Sequence, residues 1–235
     1  SVIAEYQDLL ESVKLMKELQ EILFETREKI GSIDFETLEP KLIYDEQGLL
    51  VDIVRLDRKS AERIIEEFML VANQVVATHI FNLNLPFIYR IHELPNAEKL
   101  DNVFAFVKNI GYIDYEGDYS QKNLQELLKA VEGNVFEKTI TTLLLRSMAK
   151  AKYAVENKGH YGLAFENYTH FTSPIRRYPD TTIHCLLKLV LNSEEVDITV
   201  LLKKFVYISE LASDIEQASI DCEREVDDMK MAEYI

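Results

Sequence analysis

The chain has 235 residues, 47% hydrophobic and 29% charged, which excludes an intrinsically disordered polymer and leaves room for one large domain or two small ones with a buried core. Its formal net charge of −15 excludes a broadly basic nucleic-acid-coating surface. Any site for a polyanion must therefore be a local basic track on an acidic body.

Residues 2–30 carry apolar side chains every three to four positions (Val2/Ile3, Tyr6, Leu9/Leu10, Val13, Met16, Leu19, Ile22/Leu23), the period of an amphipathic helix, and Gly31 ends it. Residues 33–56 alternate more and are interrupted by Pro40 and Gly48. Short strands are expected at Lys41–Tyr44 and Leu50–Val54, joined by the turn Asp45–Gly48. A second helix is expected from about Arg58 to Ile80, burying Ala61, Ile64/Ile65, Phe68/Met69, Ala72, Val75/Val76 and His79. Residues 81–95 read as irregular to extended. Helices are expected at about 96–109, 120–132 and 134–152, then a strand at 160–165 and helices at Pro179–Leu191 and about 197–233. The loops are short and no repeat is visible. The expected fold class is α+β and predominantly helical, with short strands packed on long helices in one compact unit.

Two cysteines, Cys185 and Cys222, make no disulfide framework and have no metal-type spacing, which fits a reducing, cytoplasmic compartment. No apolar run of bilayer-spanning length and no signal peptide is read, so no membrane partner is expected. The start at Ser1 and the helical pattern running to Ile235 suggest that both ends are cut.

Residues 159–184 carry the chemistry. Ser173-Pro174 fits a helix start, with Ser as cap and Pro in the first position. Such an end leaves amides that favour an anion. The adjacent Arg176 and Arg177 add planar forks suited to phosphate. Tyr168, His170, Phe171 and Tyr178 could stack on bases or fix the arginines, and a capped helix with two surface arginines is the plainer alternative. Asp180, in the expected first turn, favours the helix dipole and can bond to His184, supporting the arginine loop.

On the second helix, Glu67 is expected on the outer face beside Arg63, as a solvated ion pair. Glu66 is expected on the flank with Leu70 and Asn73, where a carboxylate and an amide could read a base edge or sugar. Arg90 and His92 alternate onto one side of an extended segment, as phosphate contacts would; a polar loop anchor is the alternative. Glu223-Arg224-Glu225 reads as a charged face of the last helix.

The segment Thr-Ser-Pro-Ile-Arg-Arg-Tyr-Pro-Asp at 172–180 resembles the signature of the RNase II / RNase R exoribonuclease family. The resemblance is nearly continuous from Arg27 to Glu225. It includes Ile65-Glu66-Glu67-Phe68-Met69-Leu70-Val71-Ala72-Asn73, Tyr89-Arg90-Ile91-His92-Glu93-Leu94-Pro95, and Arg27 through Phe35. It departs at Ile30, Cys185 and Gln217, where the family often has Arg. The resemblance implies residues 1–235 of a partial RNB-type catalytic domain, its C-terminal portion. It implies a processive 3′→5′ exoribonuclease releasing nucleoside 5′-monophosphates from the single-stranded 3′ end of RNA. Arg176 would be the catalytic phosphate clamp, and Arg177, Tyr168, His170, Tyr178, Glu66, Asn73, Arg90, His92 and Glu223 would contact RNA. One glutamate of the Glu66–Glu67 pair would approach a base, and Glu66 is the choice.

The family's Mg²⁺ is held by an aspartate cluster upstream of the region resembled here, so the ligands would lie outside this chain and no metal is expected in it. The small β-barrel RNA-binding domains that flank the family's catalytic domain are likewise expected outside these residues. Isolated, the chain is expected to be inactive. No protein partner from RNA degradation or the ribosome can be specified. The alternative is a non-catalytic RNA-binding or protein-interaction module of the same descent.

Overall fold

The computed structural model describes residues 6–33, 39–56, 59–111 and 119–234. Val2/Ile3, Asp34-Phe35 and Arg58 of the motifs above lie outside them. The elements run α1 (Gln7–Lys29), β1 (Glu39–Tyr44), β2 (Leu50–Leu56), α2 (Ser60–Asn82), β3 (Tyr89–Ile91), α3 (Ala97–Asn109), α4 (Gln121–Val131), α5 (Glu137–Ser147), β4 (Lys152–Ala154), α6 (Tyr178–Leu191) and α7 (Ile198–Tyr234), with a short 3-10 turn at Tyr161–Leu163. The expected helical α+β class holds. Strands form two separate antiparallel pairs, β1–β2 and β3–β4. The β1–β2 hairpin turns at Asp45, whose Oδ1 accepts from the amides of Gln47 and Leu49 at 3.0 and 2.8 Å.

Two apolar clusters build the core. The first joins α3, α4 and α5 through Leu100, Val103, Leu124, Leu127, Ile140 and Leu144, with Tyr161 of the signature segment inserted. The second joins α2, β3, β4, α6 and α7 through Ile80, Ile88, Ile91, Tyr153, Ile183 and Phe205. The signature segment thus bridges both cores, and its loop is held by packing at either end.

Several boundaries differ from expectation for identifiable reasons. The third mid-chain helix stops at Ser147 instead of 152, because Lys152–Ala154 pairs with β3: Arg90 lies opposite Tyr153 and Tyr89 opposite Ala154. Residues 160–165 are not a strand. They fold into a compact loop in which the His160 amide donates to Phe165 O at 2.8 Å and Ala164 takes a left-handed φ of 56°. Gly162 lets this loop close on His92: a Cβ there would sit 3.1 Å from the His92 ring.

The largest correction lies in α2. Ile65, Val75 and His79 face outward, while Ile64, Glu67, Asn73, Ala77 and Ile80 are buried. Glu67 therefore points inward, not at solvent. Its carboxylate accepts from Arg27 Nη2 at 2.6 Å and Nε at 3.2 Å, and Arg27 Nη1 donates to Ser32 Oγ at 2.6 Å. This ion pair joins α1 to α2. By length and composition α2 is apolar enough to cross a membrane, against expectation, yet it carries this buried charge pair and packs on α1 and the second core.

Glu67→Ala would strand the Arg27 guanidinium inside the fold. An uncompensated buried charge costs about 3–5 kcal/mol. Chemical denaturation of the variant is expected to show a loss of that size with an unchanged slope; a loss under about 1 kcal/mol would mean the pair is solvated.

Candidate nucleic-acid interface

The arginine turn is built by hydrogen bonds back to α6. The helix begins at Tyr178 with Arg177 at its cap position and Pro179 in its first turn. Ser173-Pro174, expected to start the helix, forms a preceding turn instead: the amides of Arg176 and Arg177 donate to Ser173 O at 3.3 and 3.0 Å. Two side chains of α6 staple this turn. Thr181 Oγ1 donates to Pro174 O at 2.6 Å, and Asp180 Oδ2 accepts from the Ser173 amide at 2.8 Å. Asp180 is fully buried and also accepts from Arg177 Nε at 3.1 Å and Nη2 at 2.8 Å. It does not bond to His184, whose Nε2 lies 2.9 Å from Phe171 O and whose ring stacks on Phe171 with centroids 3.9 Å apart.

The two adjacent arginines are consequently different groups. Arg177 is committed to Asp180, with its side chain 17% exposed. Arg176 is exposed, and its guanidinium has no hydrogen-bond or ion-pair partner among the described residues. Arg177 also lines two cavities. One, about 640 Å³, runs along α2 and is lined by Ile65, Glu66, Met69, Asn73, Tyr168 and His170 as well. The other, about 450 Å³, lies between the start of α6 and the middle of α7. It is lined by Arg176, Tyr178, Tyr153, Leu211, Ile215 and Glu216 among others.

Behind the turn runs a chain of rings, buried at Tyr153 and Tyr168 and half-buried at His92, His160 and His170. His92 and His160 lie 5.1 Å apart, His160 and Tyr168 5.1 Å, Tyr168 and His170 5.9 Å, and His170 and Tyr153 5.6 Å, centroid to centroid. Tyr153 Oη and His170 Nδ1 share a 2.9 Å hydrogen bond. Burial first, then the nearby cations, pushes His170 down to about 2; burial with the neighbouring His92 and Arg90 pushes His160 down to about 3. Burial raises the Tyr153 phenol to about 12. Both histidines are neutral at physiological pH, and they act here as polar packing groups.

This interior corrects the expected placement of several site residues. Arg90 does not project toward solvent: it ion-pairs with Glu216 at 2.5 Å and lies over the Tyr153 ring at 4.7 Å, while its amide donates to Tyr168 O. His92 uses both ring nitrogens inside the chain, Nε2 with Ala149 O at 2.7 Å and Nδ1 accepting from the Gly162 amide at 2.9 Å. Asn73 is buried with its amide divided between Tyr168 Oη (3.1 Å) and the Phe171 amide (2.9 Å). These three are anchors of the loop, the alternative already open for Arg90 and His92. Glu66 does line the α2 cavity together with Tyr168 and His170, and Tyr178 is exposed at the second cavity. Glu223 is exposed on α7, one helical turn beyond Ser219 and Ile220, which line that cavity. Sequence reasoning missed Tyr153 and Glu216. Nothing local marks either, because their roles come from β4 and α7 packing across Arg90.

An RNB domain model matches residues 3–193. The chain belongs to the RNB family. Ribonuclease R 1 of Lactococcus lactis subsp. lactis is 44% identical, covering all of this chain and 29% of that protein. Ribonuclease R of Aquifex aeolicus is 39% identical over 98% of this chain and 33% of that protein. This RNB chain thus spans about a third of the curated relatives it matches. Among solved structures, Mycoplasma genitalium RNase R in complex with ribose methylated single-stranded RNA superimposes with a TM-score of 0.91 at 30% identity, over 97% of this chain and 36% of that one. The RNB model ends just after α6, so α7, which supplies one wall of the Arg176 cavity, lies beyond the matched residues.

Among the described residues no three His, Cys, Asp or Glu side chains converge as a metal centre.

The neutral histidines set a pH dependence of stability. Unfolded, His160 and His170 protonate near 6.5; folded, not until about 3 and 2. Between those values the unfolded chain binds more protons, so stability is full above about 6.5 and falls as pH drops, by up to about 1.4 kcal/mol per pH unit for each histidine. Thermal melts from pH 7.5 to 5 are expected to show a flatter decline in His170→Phe than in the parent; parallel declines would mean that His170 ionises freely in the fold.

Proposed function

We propose that this chain is the RNA-gripping portion of the catalytic domain of a processive 3′→5′ exoribonuclease that releases nucleoside 5′-monophosphates. The observation that carries the reading is the Arg176 guanidinium, exposed and without a partner among the described residues at the mouth of a cavity, on a turn stapled to a helix. A free cation on a fixed backbone suits a phosphodiester, and it can stabilise charge that grows on the phosphoryl oxygens. Arg177, held by Asp180, forms the wall between the two cavities. The α2 cavity is largely apolar with a carboxylate at Glu66 and rings at Tyr168 and His170. That combination suits a nucleobase, whose face packs on the rings while its edge bonds to the acid. Tyr178 offers an exposed ring, and Glu223 a carboxylate toward the terminal nucleotide. Relatives that are ribonucleases R, and the solved relative with single-stranded RNA, support RNA as the substrate.

The relatives' greater length supports the view that the chain works within a longer protein; in this reading that protein is cytoplasmic and its other part would hold Mg²⁺. Here the metal would supply activated water, and this chain would supply grip, orientation and charge. Incubated alone with labelled single-stranded RNA and Mg²⁺, the chain is expected to release no mononucleotides. Steady release would place the whole reaction within these residues.

Within the full-length protein, Arg176→Ala is expected to lower single-turnover cleavage about 10²–10³-fold, the usual loss for a donor aimed at transition-state charge. RNA affinity, spread over many phosphates, should change only a few-fold. Quench-flow rates beside binding titrations at one salt concentration test this. Cleavage of bound RNA at the parental rate would reduce Arg176 to a substrate-positioning group.

A further inference from the structure

We propose that Asp180 is a positioning residue for the phosphate clamp: it ties Arg177 and the Ser173 amide to the first turn of α6, so that of the two arginines Arg176 is the one free to take the phosphate. The inference rests on the reading of Arg176 as the clamp and adds to it the residue that sets its geometry.

Two adjacent arginines of equal charge would compete for one phosphate and present it with two geometries. Asp180 removes that ambiguity. A single oxygen, Oδ2, gathers three bonds: the Ser173 amide at 2.8 Å, Arg177 Nη2 at 2.8 Å and Arg177 Nε at 3.1 Å. The carboxylate is fully buried, and the Arg177 guanidinium is its ion-pair partner, three residues back along the chain. A buried anion cannot leave its cation without a large penalty, so Arg177 is not free to swing toward substrate. Both ends of the turn are thereby fixed, at Ser173 and at Arg177. Arg176 lies between them, adjacent to the held residue. With Thr181 gripping Pro174 O as well, the backbone that carries Arg176 has little freedom. Catalytic groups are sensitive to displacement on this scale: a shift of about 1 Å can cost about 10²-fold in rate.

The second carboxylate oxygen, Oδ1, is buried without a hydrogen-bond partner. Asp180→Asn keeps the shape of the side chain and probes its charge. The amide oxygen can still accept from the Ser173 amide, while the NH₂ takes the place of the partnerless oxygen and is a buried donor without an acceptor. The change removes the charge that holds Arg177, and a general loss from the buried NH₂ falls equally on the R176A background.

In the full-length protein, single-turnover cleavage is measured for the parent, D180N, R176A and D180N/R176A, with RNA binding in parallel. D180N is expected to slow cleavage about tenfold or more, to change RNA affinity less than about threefold, and to cause no further loss on the R176A background. A merely structural role would slow R176A as much as the parent, and independent multiplication of the two effects overturns the inference. So does cleavage at the parental rate by D180N when R176A is impaired. If R176A itself cleaves at the parental rate, the clamp reading fails and this inference fails with it. Should D180N not fold, R177Q/D180N removes both buried charges together, and the same comparison applies: a loss that vanishes on the R176A background supports the role, and one that persists overturns it.

Discussion

A carboxylate taken fully out of water must keep a cation beside it, and at Asp180 that requirement organises the site. The acid sits in the first turn of α6, where its charge also meets the positive end of the helix. It draws Arg177 inward and pins the start of the preceding turn. The exposed position next door is then a consequence: Arg176 is carried on a backbone whose two ends are already fixed. Pro179 contributes by setting a helical φ in the first turn without needing an amide partner. The helix is long enough, and buried enough through Ile183 and Leu186, to act as the rigid support of the turn.

The same logic reconciles the acidic composition with RNA. A net charge of −15 is a property of the whole surface, whereas a phosphate senses the few ångströms around it. Two of the arginines at the site are neutralised in place, Arg177 by Asp180 and Arg90 by Glu216. The Arg176 guanidinium stays exposed beside ring-lined cavities, without a partner among the described residues. Such a surface holds RNA weakly by charge alone and depends on fit.

The helices of this fold are legible in the residues because their apolar period is long and several of their stops are marked. Gly31 and the Asp45–Gly48 turn fall where the residues place them, and the prominence of Arg176 comes from its position in a dense polar segment. The failures share one cause. Glu67 has Arg63 as its neighbour along the helix, but its partner is Arg27 on another helix. Arg90 and His92 look like a phosphate-facing pair in an extended segment, until Glu216, Tyr153 and Gly162 are folded onto them. Residues 160–165 read as a strand, yet their pairing stops at single bridges from His160 to His92 beside β3 and to Phe165, and the segment closes into a loop through Ala164. Polar residues choose partners in space, and local spacing carries no record of a partner distant in sequence.

The most direct test of Arg176 as the residue that takes a phosphate is the salt dependence of RNA binding. For single-stranded nucleic acid, each phosphate neutralised by a cationic side chain contributes about −0.7 to the slope of log K against log salt. Measured on the full-length protein with a single-stranded RNA and an uncleavable 3′ end, Arg176→Ala should make that slope shallower by about 0.7. Arg177→Lys, whose charge stays with Asp180, should leave it unchanged. An unchanged slope for Arg176→Ala would show that Arg176 does not meet a phosphate, and the assignment of the clamp would fall.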